Sequence, residues 1–537
     1  MFILAFLLLL ISYEVFFVGI LGHLTAGILL PTVLGTVGII IFWKRNDLRK
    51  FLTRIFQYSA LTGLQKILIS LLILQFLINL IGALGPETAF DALWYHLTLP
   101  KLYLLRGSIY HIPGTLLYYS DMPKLGEMLY TLSLSLNGAT IAKLTHLLFG
   151  VLTTLSVYGL SRKYLPRTPA LMAAVVFYAS LVVAWESTTA YVDLIRAFYE
   201  VMALWAYLLW YETRRGRWFI ISALLVGAAI TAKLLALSSL AIFLILFITT
   251  GLRSHEKLLF VVRRVALYAA TSLLVPLPWF IFAFIHTGNP IYPVFDPNFK
   301  IHSYFSFSIF NPVNFITDSW NLFLYSSDPI NPLYIMLLPL IVLYYKKFDW
   351  QEKLITIYCL LGFLSWYLLP RLGGGRFILA YLPVFSLLAG IVIYRLRNNA
   401  LLEKYLTLLV IVVAVSSIGY RGLANARYLP VLFGRESKQE FLTRHLNFSF
   451  GDFYDTDNYF KTHIKPGDKV LLYGFHNLYY IDFPFIDSSW VKKCDTFNYI
   501  AVQHAGLPAR FTGWRMIYDN KLTGVMLYTK GEDRRYE

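Results

Sequence analysis

Two carboxylates, Glu87 and Asp91, follow directly on an apolar run of membrane length. They lie in Gly85-Pro86-Glu87-Thr88-Ala89-Phe90-Asp91-Ala92-Leu93-Trp94-Tyr95-His96, after the run 64–84, whose single charge is Lys66. Carboxylates are costly close to hydrocarbon, so an acid pair at a membrane boundary is a functional candidate by default. Pro86 suits the first turn of a helix. A helix starting there would put Glu87, Asp91, Tyr95 and Thr98 on one stripe, with His96 off it. Its N-terminus would favour ionised acids. The structural alternative is a pair of first-turn acids that cap an interfacial helix.

Further charged groups occur where a membrane chain would normally avoid them. Glu186 and Asp193, in Trp185-Glu186-Ser187-Thr188-Thr189-Ala190-Tyr191-Val192-Asp193-Leu194-Ile195-Arg196, share a face if this segment is helical. Asp193 and Arg196 could equally form a local ion pair. Lys233 stands alone among apolar residues, and such a lysine faces a cavity or a partner or snorkels to the interface. Arg371 and Arg376 bracket Gly373-Gly374-Gly375. Glycine lets backbone come close to a phosphate, and guanidinium binds phosphate bidentately. The run lacks the Lys-Ser/Thr ending of a phosphate-binding Walker loop, and a hinge with arginines at lipid headgroups is the structural alternative. His96 and His111 have no metal-binding spacing, so no histidine-based metal site is expected. A divalent cation held by acids alone, from Asp91, Glu87 or Asp193, stays open, and no other cofactor is implied.

Membrane helices must position these groups. Of 537 residues, 58% are hydrophobic and 14% charged, against about 25% charged in a soluble domain. The net charge of +17 reflects topology rather than nucleic acid. Basic clusters at 44–50, 162–167, 214–217, 253–264, 346–353 and 395–404 separate apolar runs, as cytoplasmic loops do. Placing every cluster inside gives about 13 crossings: 2–22, 25–43, 64–84, 140–160, 168–185, 198–211, 218–233, 235–250, 265–285, 331–345, 354–369, 377–394 and 402–420. The N-terminus is then inside. The loops 86–139, 186–197 and 286–330, the turn 370–376 and the tail 421–537 are outside. No signal peptide is evident at the apolar start. Cys359, mid-span, and Cys494, in the tail, are not expected to pair.

The outer segments carry the organisation. Pro100 should end or kink the helix begun at Pro86, and the segment from Ser120 to Tyr130 should open a second amphipathic helix on the membrane surface. From about Arg435 the pattern turns to mixed polarity. Helices are expected at 437–445 and 455–464, and strands at 470–473, 499–503 and 525–529. The expected fold is therefore an all-α polytopic membrane domain with a small C-terminal extracytoplasmic α/β domain. The division is 1–63 as an N-terminal transmembrane hairpin, 64–420 as the catalytic membrane domain and 421–537 as the outer domain. No internal repeat is apparent, which weighs against a transporter built of repeated halves.

At Asp91-Ala92-Leu93-Trp94-Tyr95-His96 the chain resembles the first-loop motif of GT-C glycosyltransferases, nearest to the bacterial protein-mannosyltransferase and aminoarabinose-transferase group (glycosyltransferase family 39-like). The resemblance continues through Met122-Pro123-Lys124-Leu125-Gly126-Glu127-Met128-Leu129-Tyr130, Thr287-Gly288-Asn289-Pro290-Ile291-Tyr292-Pro293, Lys233, and the tail segments Gly434-Arg435-Glu436-Ser437 and Pro466-Gly467-Asp468-Lys469-Val470-Leu471-Leu472. It covers about 64–537, leaving 1–63 as an addition. It implies an inverting transfer of a sugar from a polyprenyl-phosphate carrier to an extracytoplasmic lipid, glycan or protein acceptor, at the plasma (inner) membrane. Asp91 would be the general base, with Glu87 and Asp193 as further catalytic candidates. Lys233, Arg371 and Arg376 would bind the donor phosphate, whose leaving-group charge needs cations. Tyr95, His96 and Glu186 are candidates for substrate contact. Many relatives carry Asp-Glu where this chain has Asp91-Ala92, so a second acid must come from Glu87, Glu186 or Asp193, or be dispensable. Two other functions compete: a surface-glycan polymerase or ligase using a pyrophosphate-linked carrier, and a polytopic lipid or sugar transporter. A transporter should bind at mid-membrane, whereas these acids cluster in outer loops.

Overall fold

The computed structural model of the chain describes residues 1–55, 61–296, 311–326, 328–369, 374–397 and 400–530. Expectations for Arg371, for 370–373 of the glycine turn and for 297–310 of the third outer loop fall outside these residues.

The membrane domain is helical. Phe2–Ile20, Ala26–Arg45, Gly63–Leu84, Ala139–Tyr164, Leu234–Arg253, Gly374–Leu396 and Ala400–Ala426 are each long and apolar enough to cross a bilayer. Leu258–Leu273 and Leu277–Thr287 qualify only as one span, bent by 69°. That makes seven or eight spans by length and composition, against the 13 read from sequence. Other expected crossings fall on helices that are shorter, interrupted or charged: Arg167–Tyr178, Asp193–Thr213, Gly216–Ala232 and the broken stretch from Leu333 to Tyr344. Asp193–Thr213 is buried along most of its length and carries Arg196 and Glu200 inward. A helix shielded from lipid by its neighbours does not need a continuous apolar surface.

Local signals set the helix ends. Gly63–Leu84 starts with a capping box of Thr62 and Gln65, and Trp350–Leu368 with one of Asp349 and Glu352. Basic clusters meet at one end of the bundle through Lys163–Glu212 (2.6 Å), Tyr164–Gln351 (2.7 Å) and Arg395–Glu352 (2.7 Å). At the other end the outer segments pack on the tail. Lys101 Nζ donates to the carbonyls of Tyr479 and Ile481 at 2.7 and 2.8 Å, and His111 stacks on His286 at 5.2 Å.

The helix expected from Pro86 starts later. The chain stays extended through Gly85, and helical structure begins at Phe90, followed by a π-turn at Ala92–His96 and an α-helix at Thr98–Arg106. Glu87 therefore shares no helix face with Asp91. Its carboxylate caps the start instead, accepting from the Thr88 and Ala89 amides at 2.9 Å each. Pro100 sits in the first turn of Thr98–Arg106, where a missing N–H costs nothing. The second surface helix runs Leu125–Asn137.

The tail holds a five-stranded sheet of β1 (Val470–Tyr473), β2 (Phe485–Asp487), β3 (Tyr499–Gln503), β4 (Arg515–Asn520) and β5 (Val525–Thr529), ordered β2-β1-β3-β5-β4. β2, β1 and β3 are parallel, and β5 is antiparallel to β3 and β4. The sequence reading lacked β2, which has three residues, and β4, an edge strand largely open to solvent. Ser437 and Glu440 box the helix Lys438–His445, as their spacing predicts. The second expected helix shrinks to Tyr459–His463.

Candidate active site

Asp91, Glu186, Asp193, Lys233 and Arg376 converge from five segments. Asp91 opens the first outer helix, Glu186 closes helix Leu181–Glu186, and Asp193 opens Asp193–Thr213. Lys233 occupies an extended break between Gly216–Ala232 and the turn Leu234–Ala236. Arg376 lies just after Gly374 (φ +65°) and Gly375, where an added Cβ would stand 1.9 Å from the Asp328 carbonyl oxygen. Only glycine lets the chain pass there with the arginine pointing inward.

Arg376 is the hub. Its Nη2 donates to Asp91 Oδ2 at 2.5 Å, and its Nε lies 3.5 Å from Asp193 Oδ2 and 4.0 Å from Glu186 Oε1. Lys233 Nζ donates to Asp193 Oδ1 at 2.6 Å. The Arg196 pair proposed for Asp193 does not form. Arg196 turns to Glu200 at 2.6 Å, because Lys233 already holds the aspartate. Tyr95 OH donates to Asp91 Oδ2 at 3.3 Å, and the Asp91 amide donates to Tyr191 OH at 3.2 Å. The Arg376 guanidinium lies 4.6 Å from the Tyr191 ring centroid. Asp91 Oδ1 accepts no hydrogen bond among the described residues, and the side chain is 15% exposed. One oxygen is thus committed to the protein and one is left for a substrate.

The two inner acids titrate apart. Burial, reinforced by the charge of Asp193, pushes the Glu186 carboxyl well above the ordinary range. Burial acts the same way on Asp193, but Lys233 and Arg376 outweigh it and hold that carboxyl below its ordinary value. Divergent neighbouring carboxyls are typical of sites that assign separate roles to similar groups.

A shell of buried bonds fixes this arrangement. Glu87 Oε2 accepts from the Ala190 amide at 2.8 Å, so Glu87 ties the first outer segment to the second. Lys143 Nζ donates to the carbonyls of Gly82, Gly85 and Pro86 at 2.9, 2.7 and 3.2 Å. His146 Nδ1 faces the carbonyls of Glu186 and Thr189 at 2.8 and 2.9 Å, and its Nε2 accepts from the Leu194 amide at 3.2 Å. That pattern requires the Nδ1–H tautomer and pins the loop from Glu186 to Asp193. From the tail, Tyr480 OH donates to the Glu87 carbonyl at 2.8 Å.

Asp91, Tyr95, His96, Lys233 and Arg376 line one cavity of about 290 Å³, together with Glu127 and Lys124. His96 Nδ1 pairs with Glu127 Oε1 at 2.8 Å. Lys124 Nζ donates to the carbonyls of Ser120 (2.8 Å) and Met122 (2.5 Å) and lies 4.8 Å from the Trp279 ring centroid. Burial brings its amine down to about 7. Glu127 and Lys124 lie in the quoted Met122–Tyr130 motif but were not singled out, and Tyr191 and Lys143 carried no signal of their own in sequence. Among the described residues no group of three or more His, Cys, Asp or Glu side chains is arranged to hold a metal ion.

Comparison with solved structures decides the fold. ArnT from Cupriavidus metallidurans in the apo state superposes with a TM-score of 0.57 at 13% identity, over 87% of this chain and 99% of that one. The same protein bound to undecaprenyl phosphate gives 0.54 at 14% identity, over 88% and 99%. This is the fold of the GT-C membrane glycosyltransferases. The sequence pattern of the dolichyl-phosphate-mannose-protein mannosyltransferase family matches residues 121–282, a stretch that holds Glu186, Asp193 and Lys233 but neither Asp91 nor Arg376. No curated protein sequence matches the chain significantly. The GT-C fold places Asp91 in the first outer loop, where the sequence resemblance expected it.

Proposed function

We propose that this chain is an integral-membrane glycosyltransferase that moves a sugar from a polyprenyl-phosphate carrier to a hydroxyl of an extracytoplasmic acceptor, with inversion. The observation that carries this reading is the meeting of one half-free carboxylate, Asp91, with two buried cations, Lys233 and Arg376, on a single cavity. Asp91 Oδ1 removes the proton of the attacking hydroxyl, which must come within hydrogen-bond reach of it. Lys233 and Arg376 neutralise the charge that grows on the departing carrier phosphate. Arg376 contacts both the base and the leaving-group side, so donor binding and base positioning are linked through one guanidinium. Asp193 holds Lys233 in place. Glu87 orders the backbone on which Asp91 sits. The GT-C fold and the undecaprenyl phosphate bound by ArnT support a lipid-phosphate donor.

An apolar groove of about 620 Å³ suits the carrier's prenyl chain. It is lined by Phe323, Tyr334, Leu338, Phe363, Phe385 and Leu388. Near its Phe363 end, Trp366 Nε1 donates to the Gly374 carbonyl at 3.3 Å, two residues from Arg376. The tail and the loops 86–139, 186–197 and 286–330 form the outer, catalytic face of a plasma-membrane protein.

The test is transfer in proteoliposomes. A panel of undecaprenyl-phosphate-linked monosaccharides is supplied with a membrane-lipid extract as acceptor, and release of undecaprenyl phosphate is followed. Release above that of empty liposomes, dependent on acceptor and on Arg376, supports the reading. Uptake of intact carrier without cleavage would favour a transporter instead.

A further inference from the structure

His96 and Glu127 line the same cavity as Asp91 but stand outside the Arg376 cluster. Both side chains are almost wholly buried, at 2% and 5% exposure. Their mutual bond, 2.8 Å from Nδ1 to Oε1, uses one polar atom of each. His96 Nε2 and Glu127 Oε2 have no partner among the described residues. A carboxylate only accepts, so Nδ1 carries the hydrogen, and Nε2 of the neutral ring is then an acceptor too. Two buried acceptors therefore share this wall without a donor. The neighbouring lysine does not supply one, since Lys124 Nζ is directed at the carbonyls of Ser120 and Met122. Buried polar atoms without partners are rare and call for a reason.

The cavity is polarised as a result. Lys233 and Arg376 give one part of its lining positive charge, and His96 with Glu127 give another part acceptors only. Phosphate oxygens belong with the cations. Ring hydroxyls, which donate, belong with the acceptors. The aromatic wall completes the site: the Tyr95 ring lies 4.1 Å from that of His96 and stacks on Tyr119 at 3.6 Å with 7° between planes.

We propose that His96 and Glu127 form the hydroxyl-reading wall of the donor cavity, binding the sugar ring and fixing which hydroxyl pattern is accepted. The inference rests on the glycosyltransferase reading and names the ligand class of that site: a neutral monosaccharide ring that offers hydroxyl donors to both acceptors. A site built on buried hydrogen-bonding groups rejects an analogue lacking the matching hydroxyl strongly, because its own groups are then left unpaired.

Binding tests this without waiting for turnover. Affinities for bare undecaprenyl phosphate, for its monosaccharide-linked forms and for single-deoxy versions are measured by calorimetry in detergent micelles. The proteins are the wild type, Glu127→Gln and His96→Gln. The wild type should hold at least one glycosylated carrier more than tenfold tighter than bare carrier. Each variant should lose ten- to a hundredfold of that gain, the range expected for a hydrogen bond to a charged group. Bare-carrier affinity should stay within about twofold. Deleting the hydroxyl that is read should weaken wild-type binding by a similar factor and leave the variants unmoved. Variants that keep the full gain and the same deoxy discrimination would overturn the proposal. So would variants that lose bare carrier as severely as glycosylated carrier, which would mark the pair as structural. A wild type with no preference for any glycosylated carrier would count against the glycosyltransferase reading itself.

Discussion

Glu186→Gln and Asp193→Asn make the same chemical change to two acids of one cluster, and the site predicts opposite outcomes. Glu186 is wholly buried and raised by burial and by Asp193, so it is protonated at neutral pH, and glutamine replaces a neutral group of equal size. Asp193 is ionised between Lys233 at 2.6 Å and Arg376 at 3.5 Å. Removing one partner of a buried ion pair costs about 3–5 kcal/mol, because it leaves an uncompensated charge. Asparagine keeps the hydrogen bond from Lys233, so the lower end of that range is expected. Titrated unfolding in mixed micelles should show Asp193→Asn destabilised by ~3 kcal/mol and Glu186→Gln by less than about 1 kcal/mol. The pH dependence follows from the signs. The lowered Asp193 contributes stability above its unfolded value near 4, lost as pH falls through its folded value. The raised Glu186 does the reverse: stability falls as pH rises from about 4.3 towards its folded value, and Glu186→Gln should remove that slope. Equal destabilisation by the two variants would refute the split of charge between these acids.

Lys233→Ala and Arg376→Ala should weaken undecaprenyl phosphate binding as well as turnover, since each removes a charge acting before and during transfer; calorimetry beside a transfer assay reads both. Lys124, whose amine burial brings down to about 7, should disfavour the folded state below that pH and relieve it as pH rises towards its unfolded value near 10.4. Wild-type melting temperature should therefore rise above pH 7, and Lys124→Met should flatten that rise. Gly114→Val should loosen the tail from the first outer loop: Gly114 has φ +88°, and a Cβ there would stand 2.0 Å from the Ser489 carbonyl oxygen. Faster proteolysis of the tail, with the membrane domain intact, is the expected result.

Much of this was legible because membrane chains make charge conspicuous. Lys233 and Arg376 stood out as cations in apolar or outward-facing segments, and Asp91 and Asp193 as acids at membrane boundaries; all four meet in the structure. Partners were less legible than candidates. Arg196 was offered to Asp193 because they are three residues apart, yet Lys233, forty residues on, takes that place; sequence spacing reports helical neighbours and not those brought by packing. Glu87 looked equivalent to Asp91 until backbone amides claimed it, since capping depends on where a helix starts, and Pro86 suggested a start four residues too early. Glu127 lay within a quoted motif, but its pairing with His96 crosses 31 residues and leaves no periodic trace. The crossings overcounted from sequence are helices such as Asp193–Thr213, buried inside the bundle rather than set in lipid.

The central claim is that Asp91 accepts the proton of the attacking hydroxyl. The direct measurement is single-turnover transfer from the preferred undecaprenyl-phosphate sugar by Asp91→Asn, with bare-carrier affinity measured alongside. Asparagine keeps an oxygen for Arg376 and Tyr95 but takes no proton. General-base catalysis is worth about 10²–10⁴-fold, so the rate should fall by at least a hundredfold while carrier affinity changes by less than about fivefold, a loss specific to the chemical step. Transfer at the wild-type rate by Asp91→Asn would contradict the account and move the base elsewhere in the cavity.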